Sequence, residues 1–254
     1  MAKIDKNLIT QLETFTDPGL LLKELFTQFG TRAAIGTSGQ LTGCVMIDMA
    51  FKAGVTPRIF TIDTLKLFPE TYTLFNDLEI KYSCEIEKIK PDPNTLSQMV
   101  LEHGEHLFFD SKEKQELCCF VRKVEPNRMI LKTLDVWITG LRADQSFSRT
   151  LTPRFQIIEE NQTKRPILKV SPLVNWTEDE LRLYTQKNHV PTHALLDYEQ
   201  NGWRYESLGC AICTTPIGPY EPRRAGRWRW FNATDPSSKE CGLHVKTESE
   251  EIDS

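Results

Sequence analysis

The sequence predicts an α/β fold, an open and mostly parallel sheet flanked by helices. Short apolar runs alternate along the chain with segments of helical periodicity, the pattern of strand–crossover–strand units. Three of the runs lead into loops of small and polar residues, at Thr37–Gln40, Asp63–Pro69 and Gly140–Arg149. In open α/β sheets, ligands bind at such loops, beyond the carboxyl ends of strands.

Apolar positions at Ile9, Leu12, Phe15, Leu20 to Leu22, Leu25 and Phe26 give helix over 8–28, which Asp17-Pro18-Gly19 divides in two. Arg32–Gly36 is the first strand. The next helix sets Leu41, Val45, Met49 and Ala53 on one face and stops at Gly54. Arg58–Asp63 is the second strand, and Pro69 opens a further helix in its first turn. Tyr82–Ile89 reads as a weaker third strand, Val136–Gly140 as a fourth and Ile167–Val170 as a fifth. Thr177 and Glu180 form a capping box ahead of Leu181 and Tyr184. No internal repeat occurs. From Asn232 the composition turns to turn-forming and then acidic residues, so the chain divides into a body over 1–231 and a tail, expected to be mobile, over 232–254.

With 31 Lys+Arg against 35 Asp+Glu, the formal net charge of -4 argues against nucleic acid as a partner. Local basic clusters are therefore read as sites for small anions. No apolar run reaches the length of a membrane span, and the first residues contain no apolar signal core. Seven cysteines without an export signal point to a reducing compartment, the cytosol. Clustered cysteines there serve as metal ligands or reactive thiols. A homo-oligomer is compatible with this composition, which does not decide the matter.

Thr37-Ser38-Gly39-Gln40-Leu41-Thr42-Gly43 would present backbone N–H groups and a helix N-terminus to an anion, although no Gly-Lys-Ser/Thr follows as in a Walker loop. An ordinary strand–helix turn has the same look. Arg142 and Arg149 follow the fourth strand, and guanidinium groups suit sulfate or phosphate oxygens. Arg223, Arg224, Arg227 and Arg229, interleaved with Trp228 and Trp230, would suit stacked nucleic acid, but the acidic balance favours a compact oxyanion pocket.

Cys210-Ala-Ile-Cys213 alone fits a redox pair, half a zinc site or part of an iron–sulfur site. The adjacent pair Cys118-Cys119 argues against the first. Neighbouring thiols on a helix diverge and rarely share one zinc, yet they could reach two irons of a cubane. Cluster, zinc and structural thiols all remain open on spacing alone. Cys44 and Cys84 read as core residues, the first on a buried helix face and the second in a strand. Cys241, beside Lys239 and His244, stands outside any core pattern in a setting that favours the thiolate. An idle surface cysteine is its plain alternative. His103, His106, His189 and His193 have metal-like spacings, but Pro191 breaks the helix the second pair would need, and all four read as non-ligands.

Four segments, in order, carry a resemblance: Cys118-Cys119-x-x-x-Lys123-Val-Glu-Pro126, Trp137-Ile-Thr-Gly-Leu-Arg142-x-Asp-Gln-Ser146-x-x-Arg149, Gly209-Cys210-x-x-Cys213 and Lys239-Glu-Cys241-Gly-Leu-His244. With Asp63-Thr64 and Phe68-Pro69-Glu70-Thr71, the chain resembles the adenylyl-sulfate (APS) reductases of sulfate assimilation over roughly residues 30–244. The resemblance implies a fold of the adenine-nucleotide α-hydrolase type, with the Ser38 loop descended from a pyrophosphatase phosphate loop. It implies reduction of APS to sulfite and AMP with electrons from thioredoxin. By motif, Cys118, Cys119, Cys210 and Cys213 would bind a [4Fe–4S] cluster and Cys241 would be the nucleophile. Lys123, Arg142, Arg149, Arg224, Arg227 and His244 would line the sulfate and phosphate end of the substrate.

Two departures stand out. The phosphate loop lacks the acidic residue common in relatives, and Leu65-Lys66 occupies the place of a frequent Gly-Arg. The four-cysteine set favours APS over its 3′-phosphorylated form, PAPS, because PAPS-specific relatives lack it. A zinc-containing ATP pyrophosphatase would want Ser-Gly-Gly-x-Asp-Ser, and this loop has no aspartate. A non-catalytic metal-binding module would leave Cys241 and its setting unexplained.

Overall fold

The structure is a computed structural model and describes residues 3–230. The tail expected over 232–254, with Cys241 and His244, lies outside the described residues.

Two N-terminal helices, α1 (Lys6–Glu13) and α2 (Pro18–Phe29), form where the sequence divides its long helical pattern. Asp5 and Asp17 cap them through their carboxylates, and Pro18 sits in the first turn of α2, where its missing N–H costs nothing. The sheet begins with β1 (Ala33–Gly36), followed by α3 (Leu41–Lys52), β2 (Ile59–Ile62), α4 (Pro69–Tyr82) and β3 (Ile86–Ile89). Next come α5 (Pro93–His103), α6 (Lys112–Cys119), a π-helical turn over Phe120–Val124, and α7 (Glu125–Leu131). After β4 (Val136–Thr139) the chain makes a hairpin of β5 (Phe155–Glu159) and β6 (Pro166–Val170), then α8 (Glu178–Asn188). A small hairpin, β7 (Glu199–Gln200) and β8 (Trp203–Arg204), precedes the final loops.

The six-stranded sheet has the order β3-β2-β1-β4-β6-β5, and every pair is parallel except β5 with β6. Strand β1 pairs with β2 on one side and β4 on the other, so the strand order reverses there. Side-chain alternation builds a core on each face. Ala33, Ile35, Ile59, Val136 and Ile138 enter the large core with α1 to α4 and α8. Ala34, Phe60, Trp137 and Ile167 face the other way and pack with Ile130 of α7.

The strand expected over Tyr82–Ile89 begins four residues later, at Ile86. Tyr82 instead ends α4, because its ring stacks on Phe51 at 5.0 Å and its hydroxyl donates to Asp48 Oδ1 at 2.8 Å. Cys84 accordingly lies between helix and strand, half-buried, and not in a strand as expected. Cys44 is fully buried in α3, as expected.

Among the described residues, no helix is long and apolar enough to cross a membrane.

Candidate active site

At the strand-order reversal, a cavity of about 210 Å³ opens beyond the carboxyl ends of β1, β2 and β4. Thr37, Ser38, Gln40 and the first residues of α3 form one wall. Gly39 turns the chain here with φ +73°, a left-handed value that a side chain would strain, while its N–H donates to Thr37 Oγ1 at 3.1 Å. Among the described residues no side-chain hydrogen bond caps α3; the Gly43 and Cys44 N–H groups turn back to the Gln40 carbonyl, and those of Leu41 and Thr42 are left for a ligand.

Ser38, Lys123, Arg142, Arg149, Arg224 and Arg227, drawn from four separate segments, all line this cavity. Arg223 joins them; Arg229 turns away, its Nη2 donating to the Pro216 carbonyl and its Nε to Thr215 Oγ1. Of the four arginines expected from the 223–229 stretch, three therefore line the cavity, because Glu221 holds the fourth in an ion pair. Six cations line the cavity against two carboxylates, Glu178 and Glu206, which leaves the space electropositive.

The cations are braced rather than loose. Arg142 is 4 % exposed, and its Nη1 donates to Thr42 Oγ1 at 2.8 Å while Asp144 accepts from Nε at 2.9 Å. Arg149 donates to the Gln145 side chain, and Arg223 bonds Glu206 at 2.8 Å and also Glu178. Arg227 Nη1 donates to the Leu208 carbonyl at 2.9 Å, and its guanidinium lies 4.8 Å from the Trp228 ring centre. Gly209 makes this possible: a side chain there would run into the Arg227 guanidinium. Leu41, Leu67, Leu196, Leu208 and Phe60 give the same cavity apolar surface, as a nucleoside would need.

The four paired cysteines come together beside the cavity. Cys210 and Cys213 pack with Trp228, Cys119, Ile212 and Trp230, and the same Ile212 packs against the neighbouring cluster that holds Cys118. Thr64 Oγ1 lies 3.2 Å from Cys210 Sγ, and the Arg122 guanidinium reaches the Thr64 carbonyl at 3.0 Å. Burial pushes the Cys213 thiol up to about 12, with the other three thiols adding to the effect and Lys123 opposing it. Burial also raises Cys118, against Arg122 and Lys123. Lys123 thus belongs to both the cavity and the thiol group.

Among the described residues, no set of three or more His, Cys, Asp or Glu side chains is arranged to hold a metal ion. A cubane makes a different demand, one thiolate on each of four irons spaced apart. Four thiols outside any disulfide and in mutual electrostatic reach, with Arg122 and Lys123 beside them, fit that demand. Without a metal, burial favours the protonated form of the Cys118 and Cys213 thiols.

Sequence reasoning missed Ser207, Glu178, Glu206 and Arg122, and it placed Thr42 in the anion loop without its bond to Arg142. Glu206-Ser207 stands directly before Leu-Gly-Cys210, so proximity to the motif could have flagged it. Glu178 read only as a helix-capping neighbour, and its reach to Arg223 across the chain has no local signal.

Strand order, cavity position and cation lining together define an α/β protein built to bind an anionic nucleotide at the switch point of its sheet. The profile described as phosphoadenosine phosphosulfate reductase domain matches residues 32–216, and the chain belongs to that family. It is 38% identical over 188 residues to an adenosine 5'-phosphosulfate reductase of Rhizobium tropici, covering 74% of this chain and 98% of the relative. A reductase of the same name from Pseudomonas aeruginosa (strain LESB58) is 35% identical over 230 residues, 90% of this chain and 82% of that one. Among solved structures, a phosphoadenylyl-sulfate (PAPS) reductase of Candida auris in a phosphate complex superposes with TM-score 0.66 at 26% identity, covering 85% of this chain and 99% of that one. FMN adenylyltransferase of Candida glabrata shares the fold at TM-score 0.51 and 14% identity, covering 85% of this chain and 69% of that one. Membership makes the chain an oxidoreductase acting on a sulfur group, in the reduction of a sulfated nucleotide.

Proposed function

We propose that the chain reduces adenosine 5'-phosphosulfate to sulfite and AMP in cytosolic sulfate assimilation, with thioredoxin as electron donor. The observation that carries this is the convergence of six cations on one cavity whose Lys123 also acts on Cys118 and Cys213 of the four-thiol group. In this reading residues 1–231 bind the nucleotide, and 232–254 carry the nucleophile.

The Cys241 thiolate attacks the sulfur of the bound sulfate. A sulfur–sulfur bond forms, the bond from sulfur to the bridging oxygen breaks, and its electron pair leaves on AMP. The product on the enzyme is S-sulfocysteine. Two anions meet in this step, and Lys123, Arg142, Arg149, Arg224 and Arg227, with His244, offset their repulsion and the charge developing on the phosphate. Ser38 and the open end of α3 hold the nucleotide phosphate. A thioredoxin thiolate then attacks Cys241 sulfur, sulfite leaves with the electron pair, and the second thioredoxin thiol resolves the mixed disulfide. Cys118, Cys119, Cys210 and Cys213 would hold a [4Fe–4S] cluster, which supplies fixed local charge and order beside the cations.

The test is the intact mass of the protein mixed with APS, or separately PAPS, without reductant, beside Cys241→Ser. An SO₃ adduct on the unmodified chain with APS, absent from the variant, is expected. An adduct from PAPS as well would widen the substrate class. No adduct from either would sink the mechanism.

A further inference from the structure

His193 belongs to none of the groups above, yet it is fully buried and reaches the cavity through one neighbour. It stands at the head of the short 3₁₀ turn Ala194–Leu196, and the Leu195 N–H donates to its Nδ1 at 3.2 Å. A neutral imidazole has one donor and one acceptor nitrogen. With Nδ1 accepting, the proton sits on Nε2, which lies 2.9 Å from Thr71 Oγ1. The Thr71 oxygen therefore accepts, and its own proton is left for another acceptor. Among the described residues this is the one hydrogen bond of that hydroxyl. Thr71 lines the cavity, as does Leu196 of the same 3₁₀ turn. Burial lowers the His193 pKa, against nearby Glu70, and so keeps the ring in the neutral form this arrangement requires.

We propose that His193 is a positioning residue for the nucleotide: its Nε2–H fixes the Thr71 hydroxyl as a hydrogen-bond donor into the cavity. The inference rests on the nucleotide reading of that cavity. It gives the neutral part of the ligand, base or sugar, a directed donor, where the cationic lining recognises only charge. A buried histidine serving packing alone would have no effect on ligand affinity beyond its effect on stability.

Two substitutions separate the nitrogens. In His193→Asn, the amide oxygen falls near the place of Nδ1 and keeps the turn, but nothing reaches Thr71. In His193→Gln, the longer side chain carries an N–H to the place of Nε2 and restores that contact. Thr71→Val removes the hydroxyl at constant shape. The measurements are AMP affinity by calorimetry, KM and kcat with APS, and thermal midpoint, on the cluster-containing enzyme. His193→Asn and Thr71→Val should each weaken AMP binding and raise KM about five- to tenfold, with kcat little changed. The double variant should be no worse than the poorer single one, and His193→Gln should recover most of the affinity. Wild-type AMP affinity in His193→Asn and Thr71→Val, with only the thermal midpoint lowered, would overturn the assignment. Failure of the wild type itself to bind AMP would instead overturn the nucleotide reading, and this inference with it.

Discussion

Arg227 holds its place through backbone, ring and void together. Its Nη1 is spent on Ser207 and Leu208, Trp228 lies against it, and Gly209 leaves the room. Among the described residues its Nε has no hydrogen-bond partner, a buried donor that an anion in the cavity would satisfy. Gly209→Ala should therefore displace the guanidinium and raise KM for the sulfonucleotide at least tenfold while the protein stays folded; steady-state kinetics and circular dichroism check this. Arg227→Lys should fall short of restoring affinity, because an ammonium lacks the planar fork. At this scale the sequence was most legible where residues carry chemistry in runs. Cys118-Cys119 and Cys210-x-x-Cys213 announced themselves, as did the arginines after Gly140. The bracing roles of Thr42 and Glu206 did not, because the arginines they hold lie far away in the chain.

Among the elements, the helical rod from Lys112 to Leu131 departs most from expectation. Pro126 has no N–H to give the Arg122 carbonyl and its ring crowds that oxygen, and the chain answers with a π-helical turn over Phe120–Val124. That turn disturbs the 3.6-residue period, and α6 is strongly polar, so neither α6 nor α7 was legible as a helix. The helices at Leu41 and Pro69 were, having clean apolar faces and marked ends. At the far end of the sheet, Asp135 pins the starts of β1, β4 and β6. Its carboxylate accepts from Arg32 at 2.5 and 2.7 Å and from Arg165 at 2.5 Å. The Arg32 hydrogen bond, ahead of the opposing burial, holds the Asp135 carboxyl below its ordinary pKa. A depressed folded-state pKa stabilises above the unfolded value near 4, and that contribution is lost as pH falls through the folded value. Asp135→Asn should cost roughly 1–2 kcal/mol in urea unfolding at pH 7, with a smaller difference from wild type at pH 3.

Over the whole molecule, alternating runs were enough to announce the fold class, but strand order was not readable. Nothing local says that β1 lies between β2 and β4, or that β5 is an antiparallel edge. The main core unites both ends of the chain body around the sheet, whereas the thiols sit in two small satellite clusters of their own. With the proposed cluster in place, iron removal under reducing conditions should therefore loosen 112–131 and 205–230 while β1 to β4 keep their protection, a pattern that amide hydrogen exchange would resolve. Uniform loss of protection would contradict it.

The π-helical turn also sets a rotational phase. Cys118 and Cys119 precede it, and Lys123 and Asn127 lie within and after it, so one added or lost residue there would swing one half of the rod about 100° relative to the other. Thiols and cavity are thus geared to each other by a single misfit turn, and length in this segment is as constrained as identity.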